Sequence, residues 1–198
     1  LCSSCLCGEV GSVARIIAGQ GKGRRLKAPR GLDTRPTGAR VRQSLFDILA
    51  PRLDGSRFLD LCAGCGGVGL EALSRGAARV VFVDPSAAAI QAVRANLEAL
   101  GSSGLRAEVF RQDAQTALRG LARAGRRFDL VYLDPPYESA LYEPLLTGVS
   151  EQRILEEDGV LVAEHFHKRQ LPETIGRLVH FRSVRVGDHV LSFYRHQE

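Results

Sequence analysis

Phe58-Leu59-Asp60-Leu61-Cys62-Ala63-Gly64-Cys65-Gly66-Gly67-Val68-Gly69 is the stretch that decides how this chain folds. Residues 57–61 have the composition of a buried strand, 62–69 form a glycine loop, and Leu70 to Arg75 reads as a helix ending near Gly76. Strand, glycine turn and helix in that order open a parallel α/β sheet. Gly64, Gly66 and Gly69 satisfy the G-x-G-x-x-G pattern of dinucleotide sites, which taken alone discriminates little. Asp60 discriminates more. A carboxylate just ahead of the loop repels a pyrophosphate and attracts an ammonium group, while the glycines let the backbone approach a ligand closely.

Further strands follow the same plan. Residues 79–83 make a second strand ending on Asp84, an acid placed to accept both hydroxyls of a ribose. Ser86 caps a helix to about Ala99, with Ala89, Ile90, Val93, Leu97 and Leu100 as its buried stripe. A strand over 107–110 leads to Asp113-Ala114, where the carboxylate either receives an adenine amino group or caps the next helix. Three acids after three successive strands are hard to obtain by chance. Beyond them the pattern predicts a strand over 128–133, a helix from Leu141 to about Leu155 broken near Gly148, and a strand over 159–164. An antiparallel hairpin, 178–186 with 189–194, ends the chain.

Asp134-Pro135-Pro136-Tyr137 sits at the end of the fourth strand. The prolines fix their own φ and hold the preceding residue extended, so the corner is stiff. It offers a carboxylate, carbonyl oxygens without competing amide donors, and an aromatic face. Those groups suit a planar ring bearing an exocyclic amine: the amine donates to Asp134 and the Pro135 carbonyl, and the ring stacks on Tyr137.

With 198 residues and ordinary globular composition, the expectation is one domain over 15–198 after an unstructured tail, 1–14. The net charge of +5 is unevenly spread: residues 15–42 hold nine Lys or Arg against Asp33 alone. A basic β-hairpin over about 15–34, turning at Gly19, Gly21 and Gly23, presents Lys22, Arg24, Arg25 and Lys27 to a polyanion. Thr37 is positioned to cap a helix with Val41, Leu45, Ile48 and Leu49 inside, which turns Arg40 and Arg42 outward or toward an anion, with Arg35 just ahead. Cys2, Cys5 and Cys7 cluster in the tail, while Cys62 and Cys65 lie in the glycine loop. An odd number of cysteines and no secretion signal predict a reducing cytoplasm, and neither they nor the five histidines have metal-site spacing. No apolar run approaches the ~20 residues of a membrane span.

The acids, glycine loop and Asp-Pro-Pro-Tyr together resemble the class I S-adenosylmethionine-dependent methyltransferases. More narrowly, the chain resembles the bacterial family that methylates the exocyclic N2 of a guanine in 16S ribosomal RNA. The narrower likeness rests on 15–19, on Arg35-Pro36-Thr37 with Arg40-Val41-Arg42, on Asp60 through Ala77, and on Asp134 to Tyr137. Asp84 stands where that family often has Glu, and Gln43 where Glu is common. The resemblance implies a Rossmann-like, mostly parallel seven-stranded sheet with a C-terminal antiparallel hairpin. It implies S-adenosylmethionine held by Asp60, Ala63, Gly64, Gly66, Asp84, Asp113 and Ala114, with catalysis by Asp134, Pro135 and Tyr137. It also implies a cytoplasmic monomer, without membrane or metal, acting on 16S rRNA in a small ribosomal subunit or its assembly intermediate. The competing readings are an adenine-N6 methyltransferase on DNA or RNA, an NAD-dependent oxidoreductase, which leaves Asp60 and Asp134 without a role, and an RNA-binding module on an inactive methyltransferase fold.

Overall fold

The computed structural model describes residues 14–27, 38–101, 106–136 and 139–197. Five parallel strands form the centre of its sheet: β1 (Arg57–Leu61), β2 (Arg79–Val83), β3 (Ala107–Phe110), β4 (Phe128–Leu133) and β5 (Leu155–Phe166). Three more strands, β6 (Thr174–Ile175), β7 (Leu178–Val186) and β8 (His189–His196), extend the sheet antiparallel in the order β3-β2-β1-β4-β5-β8-β7-β6. The sheet therefore has eight strands rather than seven, because the two-residue β6 adds an edge too short to leave a pattern in sequence.

Strand geometry sends alternate side chains to opposite faces, and the core follows that rule. Phe58, Val80, Phe82, Leu130 and Tyr132 pack under α1 (Ala39–Leu53), α2 (Gly67–Ser74) and α3 (Ala87–Leu100). Leu59, Leu61, Val81, Val83, Val131 and Leu133 pack under α4 (Ala114–Arg123) and α5 (Tyr142–Glu151). Burial on both faces is what makes these strands read as continuous apolar runs.

Three boundaries differ from the expectation. α2 starts at Gly67, inside the glycine loop, because Gly66 takes a φ of 82° and turns the chain straight into the helix. α5 runs through Gly148 without a break and stops at Glu151, and β5 starts four residues early, at Leu155. Its pairing with β4 shifts register between Phe128 and Leu130, which absorbs the turn-like Glu157-Asp158-Gly159 into the strand. Thr37 lies outside the described residues; α1 begins after Gly38 without a side-chain cap.

The hairpin is closed by an antiparallel bridge between Arg15 and Arg25. Its backbone hangs on two helices. The Ile17 and Ala18 amides donate to Glu71, at 2.7 and 3.0 Å, and the Gln20 amide to the Ser74 carbonyl at 2.8 Å. Asn96 on α3 accepts from the Lys27 amide at 2.7 Å and donates to the carbonyls of Lys27 and Cys65, both at 3.1 Å. Gly19 (φ 79°) crosses so close to the Ser74 carbonyl that no Cβ fits. Hairpin, helices and glycine loop are thus one hydrogen-bonded unit.

Candidate active site

The parallel strands deliver their terminal acids to one edge of the sheet. Asp60 is only 1% exposed, and its Oδ2 accepts from the Gly69 amide at 2.8 Å. Its Oδ1 is buried with no hydrogen-bond partner. Burial, offset in part by the Gly69 bond and reinforced by Asp84, pushes its pKa up to about 7. An orphaned carboxylate oxygen in a dry pocket is costly unless a donor arrives to meet it.

Three amides of the loop are satisfied internally. The Ala63 amide donates to the Val83 carbonyl at 2.9 Å, the Gly64 amide to Asp84 at 2.9 Å, and the Gly66 amide to the Ala63 carbonyl at 2.8 Å. Anion-binding nests work by aiming spare amides at the ligand, and these three amides are already used. Together with the buried Asp60 carboxylate, which repels an anion, they disfavour a pyrophosphate and with it the dinucleotide reading. Gly69 has a packing reason to be glycine, since a Cβ there would run into the Phe82 ring. Cys62 holds a left-handed φ of 67° where strand turns into loop, a strained position of the kind that clusters at ligand sites.

Asp84 and Asp113 differ from Asp60. Asp84 is fully buried and accepts from the Gly64 and Ser86 amides, at 2.9 and 2.8 Å, so a ribose would have to use its second lone pairs. Burial still raises its pKa. Asp113 is exposed and caps α4 by accepting from the Thr116 amide at 2.9 Å, which lowers its pKa, while Ala114 is buried behind it. Of the two readings open for Asp113, the cap is the contact present.

Asp134 is 1% exposed and closes β4 on the face that carries Asp60 and Tyr132. Burial, then Glu164, Asp134 and Asp60, raise the Tyr132 pKa well above its usual value, so these groups share one neighbourhood. Glu164, fully buried near the end of β5, accepts from the Tyr132 hydroxyl and lies 2.7 Å from His189 Nδ1. Its carbonyl accepts from the Tyr142 hydroxyl at 2.9 Å, and that hydroxyl also lies 3.3 Å from the Pro135 carbonyl. Pro135 is therefore not the uncontested acceptor its sequence suggested, because α5 supplies a donor nearby. Glu164 and Tyr142 escaped the sequence reading, although an acid after a fifth strand was a visible signal. His165 serves structure: it is buried and its Nε2 lies 2.8 Å from Ser192 Oγ. Tyr137, and with it the stacking role, lies outside the described residues, as does Arg35.

Lys22, Arg25, Lys27 and Arg40 are exposed; Arg24 is exposed too, with its guanidinium on the Ala99 carbonyl at the end of α3. Arg42 corrects the expectation. It is 3% exposed and donates through Nη2 to the Arg15 carbonyl at 2.7 Å, and burial lowers its pKa. The hairpin covers this side of α1, so Arg42 ties the two together instead of meeting a ligand from solvent.

An amino-acid ammonium matches the orphaned Asp60 oxygen, and the same buried carboxylate repels a phosphate. S-adenosylmethionine fits the residues present. Fold and site together define a class I S-adenosylmethionine-dependent methyltransferase. The chain belongs to the family described as conserved hypothetical protein 95, whose sequence profile matches residues 14–195. It is 45% identical over 181 residues to YlbH of Bacillus subtilis, which carries an rRNA methyltransferase name, covering 91% of this chain and 98% of that one. It is 34% identical over 158 residues to ribosomal RNA small subunit methyltransferase D of Escherichia coli K12, covering 80% of this chain and 77% of the relative. The solved structure of the E. coli protein yhhF, titled as a methyltransferase, superposes with a TM-score of 0.82 at 30% identity, over 94% of this chain and 99% of that one. No helix among the described residues is long and apolar enough to cross a membrane.

Proposed function

We propose that this chain transfers a methyl group from S-adenosylmethionine to the exocyclic N2 of a guanine in small-subunit ribosomal RNA. The observation that carries the reading is the buried Asp134 carboxylate, fixed by Pro135 at the end of β4 and sharing a neighbourhood with Asp60. The relatives' names supply the substrate class, small-subunit rRNA.

Asp60 holds the cofactor's ammonium, and Asp84 lies where the ribose is expected. When bound, the cofactor supplies an electrophilic methyl group on a sulfonium. The chain's own task is alignment. A guanine N2 lone pair is delocalised into the ring and is a weak nucleophile. Asp134, accepting a hydrogen bond from the amine, draws the nitrogen toward a pyramidal shape and stabilises the positive charge that develops there. The Pro135 carbonyl accepts the second amine hydrogen through the lone pair that Tyr142 leaves open. The Tyr142 hydroxyl, shared with the Glu164 carbonyl, borders that carbonyl, and Tyr137 offers the stacking face for a base turned out of its RNA context. Lys22, Arg25, Lys27 and Arg40 neutralise flanking phosphates on an assembled subunit or its precursor.

The test is incubation of the protein and methyl-labelled cofactor with small subunits lacking the modification, followed by digestion to nucleosides. Label in N2-methylguanosine is the expected result. Label in N6-methyladenosine would assign the corner to adenine, and no transfer to rRNA would remove the substrate class.

A further inference from the structure

At the end of the sheet opposite Asp134, where Phe128 pairs with Leu155 and Leu178 with His196, lies a cleft of about 480 Å³. Among the described residues, Arg127, Arg153 and Arg177 line it with His196, against one carboxylate, Glu157. The guanidinium groups come from three separate turns: ahead of β4, between α5 and β5, and between β6 and β7. None of the three enters an ion pair among the described residues.

Two of these turns are anchored on one buried post. Ser150 Oγ accepts from the Arg177 amide at 2.7 Å, and the Ser150 carbonyl lies 3.4 Å from the Arg153 amide. Gly176 (φ 57°) passes so near Ser150 that a Cβ would stand 2.5 Å from its Oγ. Arg153 takes a left-handed φ of 51°, a conformation that glycine or asparagine adopts more readily. The His196 ring is fixed by Nε2, 3.3 Å from the Leu155 carbonyl, and its buried Nδ1 has no hydrogen-bond partner. Like charges gathered in a concave site repel one another until an anion enters, and planar guanidinium forks match phosphate oxygens in pairs.

We propose that this basal cleft is a phosphate-binding site, separate from the methyl-transfer site. The phosphate comes either from the RNA backbone or from a small polyphosphate compound. The RNA source rests on the function proposed above; phosphate binding as such does not. Six residues of β4 at about 3.3 Å each place the cleft about 20 Å from Asp134. A backbone phosphate there belongs to a different stretch of RNA from the target nucleotide.

The experiment measures pyrophosphate binding by calorimetry, and binding of a labelled small-subunit rRNA fragment across a salt series. The full chain is compared with an Arg127→Ala/Arg177→Ala double variant and with Arg153→Asn, which removes a cation while suiting the left-handed backbone. Pyrophosphate affinity falling at least tenfold in both variants, with binding of S-adenosylhomocysteine unchanged, is the expected result. If the RNA salt slope also drops by about 1.4 to 1.8 in the double variant, the ligand is RNA backbone. An unchanged slope assigns the site to small polyphosphates. Wild-type protein that does not bind pyrophosphate, or variants that bind it equally well, overturn the proposal. Should the double variant fail to fold, Arg153→Asn decides alone. A wild-type protein that binds pyrophosphate yet methylates no rRNA would refute the proposed function and leave this site standing.

Discussion

The glycine loop and the cationic hairpin are both short, glycine-punctuated segments docked against α2, yet they spend their polar groups in opposite ways. In the loop, the amides of Ala63, Gly64 and Gly66 are consumed inside the protein, and one buried side-chain oxygen on Asp60 is left over. In the hairpin the backbone is tied down by Glu71, Ser74 and Asn96, while the charges of Lys22, Arg25 and Lys27 stay in water. The first arrangement selects one complementary group at short range in a dry site. The second attracts any polyanion at long range, and salt screens it.

The largest expected effect tests the dry side of that contrast. Asp60→Ala should weaken binding of S-adenosylhomocysteine by about a hundredfold or more, since it removes one partner of a buried charged contact. Near-normal affinity by calorimetry would mean the orphaned oxygen is not what receives the ammonium. The same carboxylate predicts pH dependence. Its pKa is raised to about 7 in the ligand-free fold, so affinity should fall as pH drops from 8 toward 6. The stability sign is opposite: the unfolded chain releases this proton near pH 4, so the contribution of Asp60 to ligand-free stability is largest at low pH and declines as pH rises toward 7.

Asp134→Asn comes next and should reduce kcat about a hundredfold while leaving cofactor affinity intact, which separates the acceptor corner from the loop. An equal loss of both would place Asp134 with the cofactor instead. Gly69→Ala should cost about 1–3 kcal/mol in urea denaturation, because a Cβ there meets the Phe82 ring. Arg25→Ala/Lys27→Ala should have the mildest effect: kcat unchanged, KM for RNA raised several-fold, and a salt slope shallower by about 1.4 to 1.8. A kcat loss in that variant would break the contrast, since it would give the hairpin a part in chemistry.

The strands and their order of acids were legible because burial on two faces writes a plain apolar run, and a strand end needs only a few residues to declare itself. Arg42 was misread for a reason that residue spacing cannot reveal. Val41, Leu45 and Leu49 mark one face of α1, but Arg42 meets the hairpin at the Arg15 carbonyl and Phe46 packs on Phe58, so a second face is buried as well. Glu71, Ser74 and Asn96 likewise read as ordinary helix residues, and their work appears only when the hairpin backbone arrives to be satisfied. The start of α2 was misplaced because glycine lowers helix propensity, whereas here close packing against β2 overrides it.

Local pattern alone therefore determined the α/β class, the strand-end positions of Asp60, Asp84, Asp113 and Asp134, and the concentration of positive charge near the N-terminus. Those are properties of short segments, set by side-chain period, backbone restriction and composition. Which oxygens remain unsatisfied, which arginine is buried, how the Tyr142 hydroxyl lies between the carbonyls of Glu164 and Pro135, and the gathering of Arg127, Arg153 and Arg177 were decided by tertiary structure. Each depends on groups far apart in sequence competing for the same hydrogen bonds and the same space, and that competition exists only once the chain has closed on itself.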